Sequence, residues 1–313
     1  MHLLSNTLII VLPVFLVIAL GYLLFRLRLF GHQFVQQTNK LVYVVFLQLL
    51  LFHTIGKADF TAYFNGSLVL ASSLAIACGF LLTFFYTRQR NYPAPLRGSF
   101  CQGAFRGNLA YVGLAICLNA YGDDGLTRAG ILMGFLVPVL NLFAILALLL
   151  PHQNDSTIKQ PNWLTQVALN PLIIASFLGI IWSYWQISIP IIIDRALDIT
   201  TALTLPLALL AIGGSFSLER IKGDLQTAGL ATLIKLGLMP IVAALLLKLF
   251  QVGGTDFGIG ILMAGTPTAT ATYIMADQMK GDAELAGSIV MLSTLCSALS
   301  YTFILLLLQS AGL

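Results

Sequence analysis

The chain has 313 residues, of which 58% are hydrophobic and only 9% charged, with a mean hydropathy of +0.92. That apolar excess excludes an ordinary soluble domain, and no stretch is long and polar enough for a nucleic-acid arm or a low-complexity linker. The net charge of +4 says little as a sum, because in a membrane protein the placement of Lys and Arg carries the information.

Apolar runs of about 20 residues, the length that spans a bilayer as a helix, recur from end to end. The first, from about Thr7 to Phe25, has no basic residue before it and Arg26 and Arg28 just after it. Those flanks are the reverse of a cleaved signal peptide, so the run reads as the first transmembrane helix. The others fall at about 37–56, 67–87, 98–121, 128–150, 166–186, 194–214, 227–248, 257–279 and 285–308. Turn and breaker residues separate them, among them Gly31, Pro93, Gly122 to Gly125, Pro151 to Pro161, Pro190, Gly223 and Gly281. The expectation is an all-α polytopic membrane protein of ten transmembrane helices, a single domain over residues 1–313.

Alternate connectors differ in charge. One side collects Arg26, Arg28, Lys40, Arg88, Arg90, Arg97, Lys159, Arg220, Lys222 and Lys280, and the other only Lys57, Arg128, Arg195 and Lys248. The positive-inside bias then puts both termini on the non-cytoplasmic side. The cysteines (Cys78, Cys101, Cys117, Cys296) all lie in apolar runs without a CxxC pair. They read as buried free thiols rather than a disulfide or metal site.

The chain also repeats itself. A shift of 158 lays LPVFLVIALG (Leu12–Gly21) on NPLIIASFLG (Asn170–Gly179), and also Gly56 on Gly214 and Gly107 on Gly265. A shift of 159 lays Gly122 on Gly281 and Asp123 on Asp282. Repeat one covers about 7–150 and repeat two about 166–308. Each holds five spans, an odd number, so the second must be inverted, as in secondary transporters whose sites lie near the midplane.

The fourth and ninth spans carry matched irregularities near their centres. FRGN (Phe105–Asn108) weakens the fourth, and AGTPTATAT (Ala264–Thr272) breaks the ninth, where Pro267 removes a donor and disfavours helix at Thr266. Broken backbone at that depth is tolerable only if buried in protein or lining a watery cavity. Each second half-helix would then present its N-terminus, with free N–H groups and partial positive charge, to the site. Arg106 lies about 12 Å from the cytoplasmic end of its span, and Lys235 at a similar depth. Together with Gly107, Asn108, Thr266, Pro267, Thr268 and Thr270, these two cations form the candidate substrate-binding set, suited to an anion such as a carboxylate. Snorkelling of Arg106 and Lys235, and threonines bonding back to their own helix, are the structural alternatives. Gln48, His53 and Asn141 are lone polar residues within spans, the kind that bond between helices; of these, Gln48 is carried as a further substrate-binding candidate.

With RGN (Arg106–Asn108), VGLAICLNAYG (Val112–Gly122), PLALLAIGGSFSLE (Pro206–Glu219), KLGLMP (Lys235–Pro240) and TPTATATYIMADQMKGD (Thr266–Asp282), the chain resembles the auxin efflux carrier family of membrane transporters, in its short bacterial form. The resemblance implies two inverted five-helix repeats, with spans four and nine crossing at the substrate site. It also implies a scaffold of spans 1, 2, 6 and 7, a moving unit of spans 3–5 and 8–10, an elevator-like cycle in the bacterial inner membrane, and a homodimer. Ala115 stands where the family commonly has proline, so the first break depends on Gly107 and Asn108.

The resulting expectation is a secondary carrier for a small organic anion, a mono- or dicarboxylate, held in the lipid bilayer. A sodium- or proton-coupled symporter of the same architecture, or a non-transporting sensor, are the alternatives. Spans almost free of carboxylates count against a cation antiporter, since Asp194, Asp198 and Asp277 lie near span ends. No nucleophile with a base, metal cluster or cofactor motif points to an enzyme, and no Walker motif or ATPase partner is evident. The Asp123–Asp124 doublet reads as a loop turn.

Overall fold

The computed structural model describes residues 2–152, 169–216 and 224–312. Parts of the fifth and seventh connectors, with Lys159, Arg220, Lys222 and Gly223, lie outside them. The described residues are helical, with one isolated bridge in place of any strand. In chain order they form α1 (His2–Arg26), α2 (His32–Lys57), α3 (Gly66–Gln89), α4 (Ala94–Phe105), α5 (Leu109–His152), α6 (Pro171–Tyr184), α7 (Ile191–Gly214), α8 (Leu225–Leu249), α9 (Gly254–Ala264), α10 (Ala271–Gln278) and α11 (Ala283–Ser310).

Seven of these, α1, α2, α3, α5, α7, α8 and α11, are long and apolar enough to cross a membrane, while α6 and α9 are shorter apolar helices. The chain is therefore an all-helical polytopic membrane protein. The difference from ten lies in the irregular spans. The stretch α5 is two helices joined by a kink at Gly122 (φ 63°, ψ −153°), a conformation that side-chain-bearing residues avoid, so the expected fourth and fifth spans part there. Asp123 and Asp124 therefore follow the turn inside helix, and Asp124 pairs with Arg128 at 2.9 Å. The ninth span is divided between α9 and α10.

Side chains set the helix ends. Asp282 starts α11 by accepting from the Leu285 N–H at 2.9 Å, Asp224 starts α8 through the Gln226 and Thr227 N–H groups, and Asn170 starts α6 just ahead of Pro171. Within spans, hydroxyls such as Thr83, Thr294 and Thr302 bond back to their own helix carbonyls, which removes their cost in lipid. Three π-turns interrupt the helices, at Val42–Phe46, Leu109–Gly113 and Ile234–Leu238.

The helices cluster into two compact units. The first comprises Met1–Gly66, Ala110–Val137 and Ala168–Phe216, and the second Ser67–Leu109, Pro138–Val167 and Ser217–Leu313. Both draw on the two halves of the sequence. In the first unit α1 packs along the second half of α7, and α2 along α6. Small residues permit both approaches. A Cβ at Gly21 would meet the Leu210 backbone, and one at Gly213 the Ile18 carbonyl, while Gly179 lies against Phe52 and Ile55. Large apolar side chains on the outer faces, including Ile9, Leu16, Ile192 and Ile199, are exposed, as expected for surfaces that meet lipid.

In the second unit α11 packs against α4, α8 and α10. Phe100, Ala104, Ala228, Ala231, Leu285 and Ile289 form a buried apolar cluster there. Among the cysteines, Cys101 and Cys117 are buried as free thiols and Cys78 is half-buried, but Cys296 is exposed on α11, contrary to the expectation that all four are buried. It occupies an outward apolar face beside exposed Leu295 and Leu299.

Candidate functional site

The two interrupted spans meet inside the second unit. Between α4 and α5 the chain extends through Arg106 to Asn108, and between α9 and α10 it extends through Gly265 to Thr270. The two extended stretches run antiparallel and pair as a miniature ribbon. Gly107 bridges Thr268, the Asn108 N–H donates to the Pro267 carbonyl at 2.8 Å, and the Ala269 N–H donates to the Arg106 carbonyl at 3.0 Å. Backbone groups that the helix breaks release are thereby satisfied by one another, which is what depth in a bilayer demands.

The sequence explains each part. Gly107 is required by proximity, because a Cβ there would run into the Thr266 hydroxyl. Pro267 supplies an acceptor but no donor, and its ring excludes continuous helix. Thr266 and Thr268 are fully buried. Their hydroxyls are used by the backbone, Thr266 donating to the Met263 carbonyl at 2.9 Å and Thr268 to the Gly103 carbonyl at 2.7 Å. The Thr268 N–H is taken by the Ser293 hydroxyl at 3.0 Å. These threonines hold the crossing together. Thr270 is half-buried at the start of α10 without capping it, and Asn108 is buried at the start of α5.

The two cations differ. The Arg106 guanidinium is half-buried and donates to the Asn141 carboxamide oxygen at 2.9 Å and to the Met275 sulfur on α10. Asn141 is thus a support for Arg106. Lys235, in the π-turn of α8 and only 1% exposed, donates to the Ala264 carbonyl at 2.7 Å, at the end of α9. An ammonium at a helix C-terminus meets an orphan carbonyl and the negative end of the dipole, so it anchors the second break. Arg106, Gly107, Asn108, Thr266, Pro267, Thr268, Thr270 and Lys235 all belong to the second unit. Gln48 belongs to the first, on α2, where its amide donates to the Tyr43 carbonyl.

Sequence reading passed over one cluster. In the first unit buried His53 on α2 lies 2.7 Å from Asp194 and 3.8 Å from Asp198, both on α7, and Lys57 completes the group at 2.9 Å from Asp194. The four-residue spacing of the two aspartates, which puts them on one helix face, was the available signal. The sequence separation of 141 hid the pairing. Among the described residues, His53, Asp194 and Asp198 have ligand atoms within 4.8 Å of one another, the only such group. His53 and Asp194 are at hydrogen-bond length, 2.7 Å.

A family model described as a membrane transport protein matches residues 7–305. The chain is 23% identical over 293 residues to an "Uncharacterized transporter" of Methanothermobacter thermautotrophicus, covering 93% of this chain and 94% of the relative. It is 25% identical over 323 residues to a "Putative malonate transporter" of Rhizobium meliloti, with 97% and 96% covered. A Methanocaldococcus jannaschii "Uncharacterized transporter MJ1031" matches at 21% over 297 residues, 93% and 95% covered. With a family match across nearly its whole length and two interrupted helices crossing within one unit, the chain belongs to the auxin efflux carrier family of membrane transporters.

Proposed function

We propose that the protein is a secondary carrier of small carboxylates, and that the crossing of Arg106–Asn108 with Pro267–Ala269 is where the anion binds. The crossing is the single observation that carries the reading. It brings the starts of α5 and α10 and the half-buried Arg106 to one place, and helix starts with a guanidinium attract a carboxylate. The name of the Rhizobium meliloti relative supports a dicarboxylate such as malonate. Lys235 acts in this reading by holding the second break.

The proposed architecture is ten crossings in two inverted repeats, about 7–150 and 166–308, with both termini on the non-cytoplasmic side of the membrane. The exchange pattern of the first unit supports the repeat, since α1 of one half packs on α7 of the other and α2 packs on α6. An elevator-like cycle within a homodimer completes the proposal. The test is a thermal-shift screen of purified protein against carboxylates, amino acids, sugars and nucleosides. A ligand at about 100 times its Kd should stabilise by about 2.7 kcal/mol. Stabilisation by carboxylates alone, weakened at least about tenfold in affinity by Arg106→Gln and untouched by Arg97→Gln, is the expected result. Stabilisation by neutral solutes, or equal effects of the two variants, would overturn it.

A further inference from the structure

A second polar site lies in the first unit, outside the crossing. A cavity of about 600 Å³ there is lined by His53, Thr54, Lys57, Asn119, Asp123 and Asp198, over apolar walls from α1 and α7. A neighbouring cavity of about 340 Å³ is lined by Lys57, Asp59 and Asp194. His53 stands where the two carboxylates of α7 meet α2, Asp198 facing the larger cavity and Asp194 the smaller.

We propose that His53, flanked by Asp194 and Asp198, is a proton-binding site that couples movement of the anion to a proton. The proposal rests on the carrier reading above. Its basis is the geometry of the ring. Nε2 lies 2.7 Å from Asp194 Oδ1, and Nδ1, on the other edge, lies 3.8 Å from Asp198 Oδ1. A neutral imidazole that donates from Nε2 to Asp194 has no proton on Nδ1; the imidazolium keeps that hydrogen bond and directs a second N–H and a positive charge toward Asp198, which at 3.8 Å it attracts by charge. Each ring nitrogen thus faces its own carboxylate, an arrangement that suits the doubly protonated ring.

The surrounding charges agree. Lys57 Nζ holds both oxygens of Asp194, at 2.9 and 3.1 Å, so one cation is already committed there. The group then balances as two positive and two negative charges with the proton, and carries a net negative charge without it. Asp123, from α5 on the larger cavity, adds a further acid. The α1 wall contributes only Pro13, Val14 and Val17, and α6, which packs along α2, has no charged residue. His53 is 5% exposed yet borders the larger cavity, so a proton has both a desolvated seat and a way in. Histidine is the side chain whose charge ordinarily changes between pH 5 and 8. A metal ion fits less well. The two carboxylates lie on opposite edges of the ring, so an ion bound to either ring nitrogen would have only one of them on its side.

Two measurements on the full chain test this. The first is ¹⁵N NMR of histidine-labelled protein in lipid nanodiscs from pH 5 to 8, with His53→Gln identifying the His53 signal among the four histidines. The expected result is two protonated ring nitrogens at the acid end and one at the alkaline end. The second is uptake of labelled malonate into proteoliposomes with the membrane potential clamped and a gradient from pH 7 outside to pH 8 inside. One-to-one coupling accumulates malonate about tenfold per pH unit. His53→Gln should lose that accumulation, because glutamine donates a hydrogen bond but carries no proton, while keeping malonate exchange at equal pH. A His53 that stays in one protonation state overturns the proposal, as does wild-type accumulation that ignores the gradient or a His53→Gln variant that still follows it. If the wild type neither binds nor exchanges malonate, the carboxylate reading of the crossing fails instead, and the NMR titration alone decides the proton site.

Discussion

At the residue scale the crossing depends on atoms that have no substitute. Gly107 is there because the Thr266 hydroxyl occupies the space a side chain would need. Gly107→Ala is therefore expected to cost about 1–3 kcal/mol through overpacking and to abolish transport, read as a lowered melting temperature and lost uptake. Lys235→Met keeps the volume and removes the donor to Ala264. A buried carbonyl left without its partner costs about 1–3 kcal/mol, so this variant should melt lower while Lys248→Met, on an exposed end, should not. Neither role was legible in the sequence. Lys235 looked like one more positive charge near the site, and only the placement of α8 beside the end of α9 makes it an anchor. The expected breaks at Gly107 and Pro267 were legible, because glycine and proline act through the backbone itself and need no neighbour to be read.

At the element scale, glycines decide which helices touch. Gly213→Ala would push a methyl group into the Ile18 carbonyl and separate α1 from α7, with an expected loss of about 1–3 kcal/mol. Gly229 on α8 has open space around it. There alanine only restricts the unfolded chain, and Gly229→Ala should raise stability by about 0.4–1 kcal/mol. Opposite signs in thermal unfolding would distinguish packing from backbone freedom.

The start of α8 gives a pH test outside the membrane. The Thr227 hydroxyl, followed by backbone N–H groups, holds the Asp224 carboxyl below its ordinary value of 3.8. A depressed pKa stabilises the fold above the ordinary value, and that contribution is lost as pH falls through the folded one. Wild type should therefore melt above Asp224→Asn at neutral pH and converge with it in acid below about pH 3.8. Helix positions were mostly legible from apolar runs, but their ends were not. The fourth and fifth spans part at Gly122, within the expected Gly122 to Gly125 connector, but the positive-φ backbone that keeps the join so short cannot be read from a 20-residue window.

At the scale of the whole molecule, the nearly constant offset between halves, 158 and then 159 residues, aligns glycines that the structure places in comparable surroundings. Gly107 and Gly265, aligned by a shift of 158, both lie at the crossing, and Gly21 and Gly179 both sit at close helix approaches. The grouping into units was less legible. Residues 110–137 cluster with the first unit, whereas the resemblance would assign them with the third to fifth spans. The His53–Asp194–Asp198 cluster was likewise hidden, because it joins residues 141 and 145 positions apart that no local pattern links.

The most direct test of the central claim is uptake of labelled malonate into proteoliposomes by wild type and Asn108→Ala at matched folded yield. Asn108 lies buried at the crossing and its backbone bond to Pro267 survives the substitution. Saturable wild-type uptake that Asn108→Ala reduces at least about tenfold is the predicted result. Uptake with the same affinity and rate in both would contradict the assignment of the crossing as the anion site.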